Sequence, residues 1–148
     1  MKLLTSLLMV LWLSGCVSTN SDSVTALKVW DAKYKECQRI TKNNHAMFPE
    51  TDWFKSLSKE DKKAVVFYVN KLNDYNCGGK ETESLRVALE KDNNESLIEF
   101  FESFRYQDKP DTTPIEHLDK KQIDLIESRF NKPFNLIEVG DKLQLLGN

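Results

Sequence analysis

Apolar residues recur every three or four positions along most of the chain, which is the spacing of side chains on one face of an α-helix. This periodicity predicts a mainly α fold, a small bundle of about four to five helices. The predicted helices cover about residues 22–43, Ser58 to the pair Gly78-Gly79, residues 81–91, Asn93 or Asn94 to about Arg105, and Asp119 to shortly before Pro133. Serine, aspartate or asparagine stands at most of these starts and can cap free backbone N–H groups.

Three segments lack a clear helical pattern. Residues 46–57 are predicted to form a loop or a short turn, and residues 107–114 a polar, proline-bearing linker. The pattern of the tail, residues 134–146, does not decide between a helix, a short β-hairpin that turns at Gly140-Asp141, and an irregular segment that closes the core.

Two aromatic clusters are candidate surfaces for a protein partner. One is Trp53 and Phe54 in the predicted loop, and the other is Phe100, Phe101 and Phe104 on the predicted fourth helix. Aromatic side chains in small domains are usually buried, so core packing is the plainer interpretation. An exposed apolar groove for a partner helix is the alternative, and both interpretations stay open at this point.

The N-terminus has the features of an export signal. Lys2 precedes an apolar run from Leu3 to Leu13, which is shorter than the roughly 20 residues needed to span a bilayer. The run ends in Leu13-Ser14-Gly15-Cys16, which resembles the lipobox of bacterial lipoproteins. The resemblance covers only the leader. It implies a diacylglyceryl group on the Cys16 sulfur and, in Gram-negative cells, an acyl chain such as palmitate on the Cys16 amine.

This resemblance divides the chain into a signal peptide over residues 1–15, a short tether over residues 16–23 and a single helical domain over residues 24–148. Two or three acyl chains would hold the protein on a membrane, whereas one chain alone gives only marginal membrane binding. Val17 follows the cysteine, where aspartate would resemble a retention signal for the inner membrane. In a Gram-negative host, the expected location is therefore the outer membrane, lipid-anchored and facing the periplasm.

Charges of both signs alternate along the chain. The sequence has 21 Lys and Arg and 23 Asp and Glu, and the leader holds one of the lysines, so the mature chain has a net charge of −3. A nucleic-acid-binding protein needs a net basic face, and the sequence has no basic segment that would form one. No nucleic-acid partner is expected.

Two cysteines follow the leader, Cys37 and Cys77. An exported chain meets an oxidising compartment in which disulfides persist, so a Cys37–Cys77 bond is expected. Two free thiols or a redox pair are the alternatives, although the sequence lacks a Cys-x-x-Cys motif. A zinc site is poorly supported, because it would need His45 and His117 as further ligands, at no familiar spacing.

Motifs for catalysis or cofactor binding are absent from the sequence. The segment Gly78-Gly79-Lys80 lacks the earlier glycine and the following Ser or Thr of a Walker motif. No Gly-x-Ser-x-Gly motif is present either. We therefore expect no catalytic residues, no metal and no cofactor, and we expect the chain not to be an enzyme.

These features favour a non-enzymatic binding or assembly factor anchored in the cell envelope. Short-tethered helical lipoproteins with one disulfide resemble, in architecture only, the pilotins that escort secretion-channel subunits. A periplasmic immunity or exclusion protein is the first alternative, and a cell-envelope hydrolase is the second. The expected contacts are the membrane, through Cys16, and a protein partner in the envelope.

Overall fold

The structure, a computed structural model, describes residues 22–104 and 107–146. The elements are α1 (Asp22–Asn43), α2 (Asp52–Ser56), α3 (Lys59–Lys91), α4 (Glu95–Phe104), a 3-10 turn (Thr113–Ile115), α5 (Lys120–Arg129) and α6 (Leu136–Lys142). No strand occurs in these residues, and the mainly α fold is confirmed. None of the helices described is both long and apolar enough to span a bilayer. The leader and Cys16 lie outside the described residues.

Side-chain caps begin several helices where the sequence predicts them. The Ser58 hydroxyl accepts a hydrogen bond from the N–H of Asp61 at the start of α3, and Asp119 caps α5 in the same way. Thr51 caps α2, a single helical turn that forms within the predicted loop. Helix α1 begins at Asp22, so the last two residues of the predicted tether, 22 and 23, already belong to the helix.

The longest helix, α3, runs through Gly78 and Gly79, so the predicted break between a second and a third helix is wrong. Glycine in a helix interior costs about 1 kcal/mol relative to alanine. Close packing offsets this cost, because the Gln107 amide occupies the space that a Cβ on Gly78 would need. The Tyr75 ring does the same at Gly79. The glycines therefore admit neighbouring side chains instead of ending the helix.

Helix α1 packs antiparallel against the second half of α3. The backbone N–H of Ser23 donates to Asp92 Oδ2 at 3.0 Å, which joins the start of α1 to the end of α3. Further along α1, Trp30 Nε1 donates to the Thr82 hydroxyl at 3.1 Å. Helix α4 lies beside both helices, and the Phe101 ring meets the Trp30 ring edge-on with 4.9 Å between centroids.

A disulfide joins α1 to the middle of α3, as predicted. The Sγ atoms of Cys37 and Cys77 lie 2.08 Å apart, and Cys37 is 1% exposed. The two cysteines are 40 residues apart in sequence, and a crosslink of this span stabilises a fold by about 4 kcal/mol in the chain-entropy model.

The main hydrophobic core packs against the first half of α3. It combines α3 with α2, the 3-10 turn, α5 and α6, and its buried members are Phe48, Phe54, Val65, Val66, Val69, Ile115, Ile123, Ile126, Phe130, Phe134, Val139 and Leu145. The Phe48 ring lies 5.1 Å, centroid to centroid, from the rings of both Phe54 and Phe130. The aromatic residues of the predicted loop therefore fill the core.

Two asparagines of α3 hold the chain between α5 and α6. Asn73 Nδ2 donates to the carbonyl oxygens of Phe130 (2.8 Å) and Lys132 (3.0 Å). Asn70 Nδ2 donates to the carbonyl oxygen of Phe134 at 3.1 Å. Both amides are buried and would be costly to leave without partners, so these bonds fix the position of α5 and α6 against α3.

The tail forms helix α6, so the β-hairpin alternative is wrong. The Asn135 side chain caps α6 by accepting hydrogen bonds from the N–H groups of Ile137 (3.0 Å) and Glu138 (3.2 Å). Gly140, the predicted turn residue, lies inside the helix. The Leu145 N–H closes the C-terminal end by donating to the Gly140 carbonyl at 2.8 Å.

The packing at Gly78 can be tested by substitution. Gly78→Ala is expected to lower the free energy of unfolding by about 1–2 kcal/mol, because the new methyl group must displace the buried Gln107 amide. Gly79→Ala is the matched control and should be neutral or stabilising, because Tyr75 is 37% exposed and can move into solvent. Urea unfolding followed by circular dichroism measures both effects.

The same substitution in a Gln107→Ala protein separates the effect of packing from the effect of helix propensity. In a Gln107→Ala chain the obstruction is gone, so Gly78→Ala should become stabilising by up to about 1 kcal/mol. If Gly78→Ala stabilises the unmodified protein as much as Gly79→Ala does, Gln107 does not fill this space and the explanation is wrong.

Candidate functional site

The first aromatic cluster predicted from sequence belongs to the core. Phe54 is 1% exposed and therefore has no surface for a partner to contact. Trp53 is partly buried and packs against the same core. Phe54 therefore helps to position α2 in the core, whereas Trp53 keeps part of its side chain exposed.

The second cluster lies on α4, at the end of the molecule where α1 begins. Phe100 is 54% exposed, whereas Phe101 is half-buried against Trp30. The Phe104 side chain lies outside the part of the chain that the structure describes. Phe100 therefore keeps the partner-surface interpretation open, and Phe101 serves mainly to pack α4 onto α1.

A cavity of about 300 Å³ opens between the first half of α3, the 3-10 turn and α5. Its lining residues are Tyr68, Thr112, Ile115, Glu116, Leu118, Lys120, Ile123, Asp124 and Glu127. The floor is continuous with the main core, because Ile115 and Ile123 are buried members of that core. Concave, largely apolar surfaces with a few polar groups are typical of ligand sites, and this volume is at the lower end of their range of roughly 300–1,000 Å³.

The charged groups of this cavity are mainly acidic. Glu116, Asp124 and Glu127 line it together with one cation, Lys120, whose ammonium lies 2.9 Å from Asp124 Oδ1. Burial and the nearby charges of Glu127 and Asp124 raise the pKa of Tyr68 to about 12. The phenol therefore stays neutral at physiological pH, and the cavity carries a net negative charge.

A second cavity, of about 330 Å³, lies over the disulfide. It is lined by Ile40, Asn73, Asn76, Cys77, Asn131, Lys132 and Pro133. Asn73 is already bonded to two carbonyl groups, and the cavity contains no carboxylate. It offers amide groups and one cation but less chemical specificity than the acidic cavity.

The two histidines lie apart from both cavities. His117 Nε2 lies 2.9 Å from Asp61 Oδ1, but the His117 side chain is 60% exposed. Hydrogen bonds from Ser58 and His117 hold the pKa of Asp61 below its ordinary value. His45 is exposed. Within residues 22–104 and 107–146, no three His, Cys, Asp or Glu side chains are grouped closely enough to hold a metal ion.

The sequence interpretation missed the acidic cavity. Helical spacing does place Ile123, Asp124 and Glu127 on neighbouring positions of one face of α5. The sequence pattern predicts only a core stripe on this helix, Ile123, Ile126 and Phe130. That α5 borders a cavity depends on Tyr68 and the 3-10 turn, which are distant in sequence and meet α5 only in the folded chain.

Family models, curated proteins and solved structures provide no match to this chain. Consequently no residue takes a functional role from a relative. The candidate site is assigned from shape and charge, and the acidic cavity meets those criteria best among the described residues.

Asp74 of α3 has an unusual environment for a carboxyl group. Burial raises the pKa of Asp74 to about 6, although the nearby Lys71 ammonium acts in the opposite direction. The folded protein therefore binds this proton more tightly than the unfolded chain does. Protonation of Asp74 therefore stabilises the folded protein. This contribution to the free energy of unfolding is fully present below the ordinary pKa of 3.8 and is lost as the pH rises through about 6.

Asp74→Asn should remove this pH dependence. We expect the unfolding free energy of the unmodified protein to fall between about pH 4 and pH 7, with a smaller fall in the variant. At about pH 8 the variant should be the more stable protein by roughly 1 kcal/mol, a value reduced to allow for partial exposure. Urea titrations across this range measure both proteins, with Asp141→Asn as an exposed control. Parallel curves for Asp74→Asn and the unmodified protein would contradict the assignment.

Proposed function

We propose that this protein is a lipid-anchored, non-enzymatic binding or assembly factor of the cell envelope, held at the outer membrane through Cys16. One observation supports this proposal above the others: the start of α1 and the candidate site lie near opposite ends of α3. Lys91 at the end of α3 forms an ion pair with Asp22 at the start of α1. Tyr68, in the acidic cavity, belongs to the first half of α3.

The dimensions suit a tethered binding protein. Six residues, from Cys16 to Ser21, precede α1 and reach at most about 20 Å. Helix α3 has 33 residues and is therefore about 50 Å long. The helical rise places Tyr68 about 35 Å along the axis from Lys91. An anchor on Cys16 would keep the end formed by α1 and α4 near the membrane and present the acidic cavity away from it.

This arrangement favours partner contact at the far end of the molecule. A membrane-proximal end is partly shielded by lipid, whereas the cavity end faces the surrounding compartment. The Phe100 surface lies on α4 and would be near the membrane, so we assign it the smaller role in partner binding. The role of the protein is then to hold an envelope protein at a fixed distance from the membrane.

The lipid anchor is tested in cells that express the full chain and are grown with alkyne-tagged palmitate. The unmodified protein is expected to take up the label and to fractionate with membranes, because acylation at Cys16 supplies the membrane affinity. Cys16→Ser should lose both properties. The Cys37→Ser/Cys77→Ser chain is the matched control and should keep the label. An unlabelled wild-type protein would contradict the anchor.

The partner-facing end is tested in the same cells with a photo-crosslinking amino acid. At Glu116, on the rim of the cavity, it should capture an envelope protein. At Ser103, on α4, it should capture little or none. Crosslinks from Ser103 alone would overturn the far-end assignment and move partner binding to the α4 surface.

A further inference from the structure

The acidic cavity combines an apolar floor with charged walls. Its floor, from Ile115, Leu118 and Ile123, is apolar and suits an aliphatic chain. Three of its four charged lining residues are carboxylates, which accept hydrogen bonds and attract cations. A ligand complementary to both must carry a positive charge on an apolar stem.

The charges of the cavity are only partly neutralised from within. Lys120 supplies one ammonium group, and it is paired with Asp124. The Lys120 charge also acts on Glu127, which accepts a hydrogen bond from the Tyr68 hydroxyl. Because one ammonium group faces three carboxylates, an excess of two negative charges remains. The excess negative charge can therefore attract an external cation, although the exposure of Glu116 and Asp124 to water weakens this attraction.

We propose that this cavity binds a lysine side chain of a protein partner. Lysine has a four-carbon apolar stem and a compact ammonium group with three hydrogen-bond donors. The stem can lie on the floor of the cavity while the ammonium reaches Glu127 or Glu116. The proposal rests on the proposed function for the source of the lysine, a protein partner, but binding of the amine itself can be measured without that partner.

The first experiment titrates the purified full chain, in detergent micelles and with its disulfide intact, with Nα-acetyl-lysine N-methylamide. Backbone amide NMR signals around Tyr68, Glu116 and Glu127 are expected to shift saturably, with a dissociation constant of roughly 1–10 mM. The norleucine analogue keeps the stem and lacks the amine, and it should bind much more weakly. Absence of saturation with the lysine probe, or equal binding of the norleucine probe, would overturn the proposal.

Charge variants test whether the carboxylates of the cavity attract the lysine probe. Lys120→Gln removes the internal competitor for Asp124, and it should tighten binding of the lysine probe by about two- to fivefold at low salt. Glu127→Gln should weaken binding by a similar factor. The matched controls are Lys121→Gln, next to Lys120 but not in the cavity, and Glu102→Gln on α4, and neither should change the affinity. An unchanged affinity in both cavity variants would contradict the proposal.

The outcomes separate this inference from the proposed function. If the lysine probe fails to bind while crosslinking at Glu116 still captures a partner, the lysine assignment is wrong and the tethered binding role stands. If the probe binds but Cys16 carries no lipid, the cavity assignment stands and the anchor is wrong.

Discussion

The architecture depends on α3 remaining one helix through Gly78 and Gly79. At this point the helix backbone is approached so closely that no Cβ could be accommodated without moving Gln107 or Tyr75. The disulfide at Cys77 is attached immediately before this point. The result is a single axis shared by two packed regions. The first half of α3 supports the main core, and the second half supports α1 and α4.

The extent of most helices follows from local sequence patterns. Helix α1 follows an apolar stripe, and α5 begins at a side-chain cap; both are short-range signals. The predicted break at Gly78-Gly79 failed for a long-range reason. Two glycines usually end a helix, and only the packing of Gln107, almost 30 residues later, makes continuation favourable. The tail could not be decided, because Gly140 is compatible with a turn and with a helix.

The candidate site was less predictable than the fold. The disulfide was deduced from the number of cysteines and the expected compartment, and Phe54 could not be assigned to core or surface without the fold. The acidic cavity arises where Tyr68 meets the 3-10 turn and α5, a juxtaposition that periodicity does not encode. The cavity lies at the first half of α3, so most of this long helix would separate it from the proposed anchor.

In this proposal, α3 is a rigid spacer between the tethered end and the acidic cavity. Spin labels on non-canonical amino acids at Lys63 and Glu90, both exposed, leave the native cysteines untouched. Pulsed electron paramagnetic resonance then measures the distance between the labels in the full folded chain. A continuous α3 should give one narrow distribution near about 40 Å, the axial rise between these two residues. A broad distribution, or one shorter by about 10 Å or more, would mean that α3 bends or breaks at Gly78-Gly79.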